Sequence, residues 1–144
     1  EKPMDKKITV THETITLHAA QEAASAAIAA AQDIGILVSV VVVDTAGHPM
    51  AIARMDGATI LTYEVAYKKA WTAATTGAPT AGVHQFISSD PGSLLSMPHV
   101  GNFSVVAGGL QVSVNDRCVG AIGISGATAD LDLKVAEAAL AALI

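Results

Sequence analysis

The sequence predicts an α/β domain of the α+β type, in which helices flank one antiparallel sheet. Two apolar stretches each fold back on themselves through a short turn, within 37–55 and 103–125, which is typical of β-hairpins. Alanine-rich segments with helical spacing precede, separate and follow these hairpins. The predicted order is α-β-β-α-(α)-β-β-α. With 144 residues, 51% of them hydrophobic, the chain suits one domain over residues 14–144 preceded by a tail over residues 1–13.

The first helix is predicted over Leu17–Ile34. Thr16 is a good N-cap residue, and Gly35 supplies a C-terminal stop. The face expected to be buried is mostly alanine, so this helix can lie close to its neighbour.

The first hairpin is predicted from a strand over Leu37–Asp44 and a return strand over Pro49–Met55. The first strand has almost no polar interruption, as expected for a strand covered on both faces. Gly47 allows the chain to turn between the two strands.

The middle of the chain is predicted to be helical and then irregular. Thr62 is the expected cap of a second helix over Tyr63–Thr76, and a short helical turn is expected over Ala81–Ser88. Ser89–Asn102 contains two prolines and two glycines without periodicity, which predicts a loop. Loops of this length in compact domains are often functional.

The second hairpin and a last helix complete the predicted fold. A strand over Phe103–Ala107 is expected to bend at Gly108–Gly109 and to continue over Leu110–Val114. Cys118–Ser125 is the predicted last strand, and the C-terminal helix is expected over Asp130–Leu143.

The charge distribution predicts a homo-oligomer. Charged residues make up only 15% of the chain, against about 25% in average soluble proteins. Between Val65 and Asn115 the only charged side chains are Lys68, Lys69 and Asp90. A small domain has much surface to cover, so this shortage suggests that part of the surface lies against another copy.

Composition argues against several classes of partner. The net charge is −5 and aromatic residues make up 3%, which disfavours nucleic-acid binding. The longest apolar runs are far shorter than the roughly 20 residues of a membrane span. The single cysteine, Cys118, excludes an intramolecular disulfide. A cytoplasmic location is therefore expected, without a nucleic-acid or membrane partner.

Four segments of the chain together resemble one protein family. They are VVVVDTAGHPMAIARMDGA, KKAWTAATTGAPT, VAGGLQV and VGAIGISGATADLDLKVAEAAL. The chain resembles the GlcG/HbpS family over Thr16–Leu143. That family includes proteins linked to glycolate, propanediol and glycerol utilisation, a haem-binding protein, and the C-terminal domain of one type of corrinoid adenosyltransferase.

The resemblance implies a profilin-like fold with a sheet of about five antiparallel strands, assembled into dimers or larger rings. It also implies haem or another tetrapyrrole as the ligand of some members, and haem is therefore the candidate cofactor. It implies no single shared reaction.

The same resemblance makes His18 the candidate ligand of a haem iron. A histidine in the first helix resembles the axial ligand of the haem-binding relatives, and Glu22 lies one turn further on, where it could hold the second ring nitrogen. The alternative is a solvated histidine paired with Glu22 on the helix surface.

Arg54 and Lys69 are the candidate contacts for an anionic group of the ligand. An arginine within an apolar strand needs a partner, which is either a ligand carboxylate or haem propionate, or else Asp44 or Asp56. Lys69 lies on the flank of an apolar helix face, and its alternative is a side chain that extends to water.

The remaining candidates lie in turns. His48 and Asp56 belong to the two turns that carry the family motifs, and each is a candidate ligand contact. Three glycines are candidate sources of backbone N–H donors to an anion, namely Gly108, Gly109 and Gly126. The alternative is that these glycines are required for chain bends and close packing.

Three functions are open on the sequence. The first is an oligomeric accessory protein of a catabolic system that binds a small carboxylate or a tetrapyrrole. The second is an enzyme acting on a small hydroxy or keto acid, in which Asp44, His48, Asp56 or Lys69 would supply acid–base chemistry and would converge on one pocket. The third is a purely structural subunit. Since the chain has neither a Walker nor a Rossmann glycine pattern, a nucleotide-dependent enzyme is not expected.

Overall fold

The computed structural model describes residues 7–144, which contain four strands and five α-helices. The strands are β1 (Ser39–Asp44), β2 (Pro49–Arg54), β3 (Gly109–Val114) and β4 (Arg117–Ser125). The helices are α1 (Leu17–Asp33), α2 (Ile60–Thr76), α3 (Thr80–Ser88), α4 (Pro91–Ser96) and α5 (Ala129–Leu143), and a 3-10 turn follows α4 at Met97–His99. The predicted class, an antiparallel sheet flanked by helices, is confirmed.

The sheet has the strand order β2-β1-β4-β3, and all neighbouring strands are antiparallel. The two hairpins therefore join through β1 and β4, the most apolar strands. Val40 and Val42 face a core formed with α1 and α5, whereas Val41 and Val43 face a core formed with α2. The continuous valine run is thus explained by helices on both faces.

Small residues bring α2 very close to the sheet. Gly123 of β4 lies directly beneath the backbone of Ala66, and a methyl group at Gly123 would collide with the Ala66 carbonyl oxygen. Ala66, Ala70 and Ala73 of α2 are fully buried. The backbone of α2 therefore packs directly against β4, and this contact fixes the distance of the α2 side chains from the sheet.

The sheet has four strands rather than the expected five or so, and Phe103–Ala107 is not a strand. Its backbone bonds to helix side chains instead. The Ser104 amide donates to Thr72 Oγ1, and Thr80 Oγ1 donates to the Val106 carbonyl oxygen. The predicted strand was wrong because these hydroxyls satisfy backbone groups that a neighbouring strand would otherwise bond.

The predicted loop at Ser89–Asn102 is also largely helical. Asp90 caps α4, because its Oδ2 accepts a hydrogen bond from the Ser93 amide, and Pro91 occupies the first helical position. An Asp-Pro pair at this spacing is a helix start, although the segment reads as a loop from its proline and glycine content alone.

The two largest differences from the other predicted boundaries are at the starts of α2 and β1. Helix α2 begins at Ile60 after Thr59, and Thr62 lies inside the helix with its hydroxyl 2.9 Å from Ser39 Oγ. Strand β1 begins at Ser39 rather than Leu37. Residues 1–6 of the predicted tail lie outside the described residues, and the single-domain boundary at residue 14 stays a prediction.

Candidate functional site

The residues proposed from the sequence fall in four separate places. His18 lies in the first turn of α1, and His48 lies in the β1–β2 turn. Arg54 and Asp56 lie at the other end of β2. The fourth place surrounds the side chain of Lys69, near the glycines at positions 108, 109 and 126.

His18 is an accessible histidine with a carboxylate partner. Thr16 caps α1 by accepting a hydrogen bond from the Ala19 amide, which places His18 in the first turn and Glu22 one turn later. His18 Nε2 lies 3.0 Å from Glu22 Oε1, and the His18 side chain is 85% exposed. Nε2 of His18 is thus paired with a carboxylate, while Nδ1 has no protein partner among residues 7–144.

Two adjoining depressions run along the same flank of α1, and we call them together the α1 groove. Their volumes are about 480 and 610 Å³. Ten residues separate His18 from Ile28, a distance of about 15 Å along a helix. The depressions share Gln21 and Ser25. The His18 end is also lined by Glu22 and Ala142, and the other end by Ala24, Ile28 and the edge-strand residues Met50, Ala51, Ile52 and Ala53.

Lys69 forms a buried ion pair with Asp132 of α5. Lys69 Nζ donates to the Ile124 carbonyl oxygen at 2.8 Å and to Asp132 Oδ2 at 3.1 Å. Lys69 is 1% exposed and Asp132 is 2% exposed, so the alternative in which Lys69 extends to water was wrong, and a ligand contact by Lys69 stays a prediction. Burial lowers the pKa of Lys69 below its ordinary value of 10.5, while Asp132 acts in the opposite direction.

The glycines near this ion pair allow close approach of the backbone. A Cβ atom at Gly108, where φ is +121°, would lie 3.0 Å from Lys69 Nζ. The Gly109 amide donates to Thr80 Oγ1, and the Ala127 amide donates to Asp132 Oδ1. A methyl group at Gly126 would collide with the Leu37 carbonyl oxygen. The amides of Gly109 and Ala127 are therefore already bonded within the chain, and ligand contacts by the glycines stay a prediction.

Arg54 is exposed and pairs with neither of the two aspartates considered as its partners. Its Nη1 donates to the Ala58 carbonyl oxygen at 3.0 Å, and among residues 7–144 no carboxylate lies within ion-pair distance of it. Asp44 instead stabilises the hairpin turn, since Asp44 Oδ1 accepts hydrogen bonds from the amides of Ala46 and His48. The guanidinium of Arg54 thus keeps most of its donors for another partner.

The acid–base residues proposed for an enzyme do not meet in one pocket. His48 precedes β2 and Asp56 follows it, so a whole strand separates them, and both are exposed. Lys69 is buried elsewhere.

Within residues 7–144, no three histidine, cysteine, aspartate or glutamate side chains come together as a metal site. No helix of these residues has the length and apolar character to cross a membrane.

Asp132 is the main site residue that the sequence reasoning missed. It lies 63 residues from Lys69, so no local spacing connects the two. Each, however, is a charge on an apolar helix face. Asp132 precedes buried Val135 and Ala136 by three and four residues, and Lys69 lies three residues after buried Ala66 and four before buried Ala73. Charges in such positions need a buried partner.

Proteins with similar sequences cover most of this chain. An uncharacterized 15.0 kDa protein from the dhaT–dhaS intergenic region of Citrobacter freundii is 34% identical over 131 residues, covering 88% of this chain and 90% of that protein. GlcG of Escherichia coli K12 is 34% identical, covering 73% of this chain and 79% of GlcG. The corrinoid adenosyltransferase PduO of Salmonella typhimurium is 30% identical over 90% of this chain, which corresponds to 39% of PduO.

Several solved structures share the fold of this chain, and their names correspond to those of the relatives found by sequence. The crystal structure of HbpS is 34% identical, with a TM-score of 0.88 and 99% of both chains covered. Klebsiella pneumoniae ORFY is 30% identical, with a TM-score of 0.88 and 97% of both chains covered. A complex of PduOC with haem is 28% identical, with a TM-score of 0.82, covering 90% of this chain and 94% of PduOC. The model of the family described as haem degrading protein HbpS-like matches residues 15–141, so this chain belongs to the HbpS-like family.

Proposed function

We propose that this protein binds haem or a related tetrapyrrole, as an oligomeric accessory protein of a catabolic system. His18 is the proposed iron ligand, and the α1 groove is the proposed binding surface for the macrocycle. The haem complex of PduOC, a relative with the same fold, supports the class of ligand. The names GlcG and PduO among the relatives support the catabolic setting.

The pairing of His18 with Glu22 carries this proposal. Imidazole nitrogen is a common ligand of haem iron, and a carboxylate on the second ring nitrogen fixes the orientation of the ring and raises its basicity. His18 combines a carboxylate partner at 3.0 Å with an exposed ring. His84 and His99 are also exposed, but neither has an ion-pair partner among residues 7–144.

The α1 groove suits the remainder of a tetrapyrrole. Ala24, Ile28 and Met50 offer apolar contacts at its far end, and polar and apolar groups line both ends in similar proportion. Ligand sites are typically about 300–1,000 Å³, mostly apolar, with a few polar groups that fix orientation. Bound haem would supply the redox and ligand-exchange chemistry of its iron, which His18 would hold, while the residues of the α1 groove would contact the macrocycle.

A titration with haemin tests the proposal. The wild-type protein is expected to shift the Soret band with a stoichiometric endpoint. His18→Ala is expected to lose this shift, and Glu22→Gln to weaken binding. His84→Ala is the matched control, because it removes another exposed histidine, from α3, and is expected to leave the spectrum unchanged. Circular dichroism would check that each variant is folded.

Two results would count against the proposal. An unchanged Soret band in His18→Ala would move the iron ligand to another residue. Absence of any band shift at stoichiometric haemin would remove haem as the ligand altogether.

A further inference from the structure

The segment before α1 has the residue pattern of a strand but pairs with no strand of residues 7–144. Ile8 and Val10 alternate with Thr9 and Thr11, which is typical of a strand with one buried face. Ile8 is 86% exposed and Val10 is 70% exposed. The backbone of residues 7–13 forms no hydrogen bond with the rest of the described chain. We call residues 7–13 the N-terminal arm.

Strand β3 lies at an edge of the sheet and has an exposed end at residues 113–114. It pairs with β4 on one side only. The Ile124 amide donates a hydrogen bond to the Gly108 carbonyl oxygen. Because bonded and non-bonded pairs alternate along an antiparallel ladder, Val112 also bonds toward β4, whereas Gln111 and Ser113 direct their backbone groups to the open side.

The exposed end of β3 borders an apolar depression. Val112 and Val114 lie two residues apart and therefore on the same face of the strand. They line a depression of about 280 Å³ whose other apolar walls are Ile15, Val119, Leu143 and Ile144. A cavity of about 150 Å³ already admits benzene, so this depression has room for aliphatic side chains.

The apolar residues of the N-terminal arm match this end of β3 in an antiparallel register. With Ile8 opposite Val114, Val10 lies opposite Val112. Both apolar pairs then fall on the face of β3 that borders the depression. The shared two-residue period thus places Ile8 and Val10 where apolar side chains are missing.

The polar residues agree with the same register. Thr9 lies opposite Ser113, whose backbone groups point to the open side, so the two residues can exchange both backbone hydrogen bonds. Lys7 falls beside the β3–β4 turn, next to Asp116, which is exposed. Opposite charges therefore meet at the end of the ladder.

The N-terminal arm cannot reach this register on its own chain. Thr14 Oγ1 donates to the Val119 carbonyl oxygen at 3.3 Å, which fixes the start of the arm beside Val119. The register places Glu13 opposite Gly109, which pairs with Gly123. Gly123 lies four residues beyond Val119, about 13 Å along β4, whereas Glu13 is adjacent to Thr14. The matching strand therefore belongs to a second copy.

We propose that the N-terminal arm of one copy pairs antiparallel with the exposed end of β3 of a second copy, with Ile8 and Val10 covering the depression at Val112 and Val114. A reciprocal exchange gives two identical contacts related by a two-fold axis. The contact uses none of the residues that line the α1 groove. It is therefore independent of haem binding, although it supplies a contact for the oligomer of the proposed function.

Disulfide cross-linking tests this exchange. All variants carry Cys118→Ser, because Cys118 is the only native cysteine. Ile8→Cys and Val114→Cys are co-expressed as separate chains. The two positions form a non-bonded pair in the proposed ladder, where side chains lie closest. After mild oxidation, denaturing electrophoresis without reductant is expected to show a covalent dimer.

The other edge strand provides the matched control. Ile52 of β2 is 49% exposed, close to the 43% of Val114. Co-expression of Ile8→Cys with Ile52→Cys is expected to give at least about tenfold less covalent dimer, because only thiols held side by side have a high effective concentration. Circular dichroism checks that each variant is folded.

Three results would overturn the proposal. The first is the absence of a covalent dimer from Ile8→Cys with Val114→Cys, and the second is an equal yield with Ile52→Cys. The third is a double variant, Ile8→Cys/Val114→Cys, that closes into a cross-linked monomer, since the arm would then cover its own β3. The haemin titration of the cross-linked dimer should match the wild type, so failure of the exchange is distinguishable from failure of the proposed function.

Discussion

Lys69 Nζ lies 3.1 Å from Asp132 Oδ2 and joins two helices that pack on opposite faces of the sheet. The bond passes the end of β4, where the Ile124 carbonyl oxygen accepts a second hydrogen bond from Lys69. The Ala127 amide satisfies the other carboxylate oxygen. Both charged groups thus have hydrogen-bond partners although both are buried, which is the condition under which a buried ion pair is tolerated.

Removing one member of this pair should be strongly destabilising. Lys69→Met leaves Asp132 as an unpaired buried carboxylate, and the free energy of unfolding is expected to fall by about 3–5 kcal/mol. The double variant Lys69→Met/Asp132→Leu should recover much of this loss, because no charge remains buried. Unfolding in urea measures both effects.

Lys68→Met provides the control for that series. Lys68 is partly exposed and lies 3.6 Å from Glu64 one turn away, a type of pair that contributes about 0.3–0.5 kcal/mol. A loss in Lys69→Met as small as that in Lys68→Met would show that the buried pair contributes little.

The lowered pKa of Lys69 predicts a dependence of stability on alkaline pH. Between this folded-state pKa and the ordinary value of 10.5, the unfolded chain holds a proton on Lys69 that the folded chain has lost. Stability rises with pH wherever the unfolded state binds more protons. In this window, wild-type stability should therefore rise with pH relative to Lys69→Met. Parallel stability curves for the two proteins would contradict the lowered pKa.

Local patterns predicted four of the five α-helices of residues 7–144 and the two hairpins, but neither α4 nor the place where the sheet ends. Phe103–Ala107 is apolar enough for a strand, yet the β3–β4 ladder begins at the pair of Gly109 with Gly123, and β4 ends at Ser125. The chain before Gly108 therefore has no strand to pair with. The hydroxyls of Thr72 and Thr80 form hydrogen bonds with its backbone instead. These bonds depend on tertiary packing, and no periodic pattern in the sequence indicates them.

The sites were predictable to different degrees for the same reason. His18 and Glu22 are one helical turn apart, so the sequence alone brings them together. The exposure of Arg54 depends on how far α2 extends across the sheet, and the partner of Lys69 depends on where α5 returns. The exposure of Arg54 and the partner of Lys69 both depend on how the helices pack on the sheet. The only sequence signal for the partner of Lys69 was the charge of Asp132 on an apolar helix face.

The surface of α3 and α4 should be part of the interface of the predicted homo-oligomer. Phe86 is 79% exposed and Leu95 is 74% exposed, and Leu94 and Val100 are exposed beside them. Among the aspartate, glutamate, lysine and arginine residues, only Asp90 falls in α3, α4 and their connection, and its carboxylate accepts hydrogen bonds from Ser93. An apolar surface with so few charges fits a like surface on a second copy.

Gel filtration with light scattering checks this interface. Phe86→Lys and Leu95→Lys are expected to lower the oligomeric mass, because each would bury a charge at an apolar contact. Ile60→Lys, at a similarly exposed isoleucine that begins α2, is the control. A wild-type protein that is monomeric at micromolar concentration would contradict the prediction of an oligomer, and equal effects of all three lysines would contradict this choice of surface.

Two glycine-to-alanine substitutions should change stability in opposite directions. At Gly123 the added methyl group would collide with the Ala66 carbonyl oxygen, and overpacking of this kind costs about 1–3 kcal/mol or more, since α2 must move away from β4. At Gly82, inside α3, the nearest atom to the new methyl group is Pro79 Cδ at 3.7 Å, an ordinary contact. Alanine there should stabilise the protein by about 0.5–1 kcal/mol, because glycine loses more backbone entropy on folding. Thermal and urea unfolding of the two variants measure the difference, and a neutral Gly123→Ala would show that α2 does not rest on β4 as closely as described.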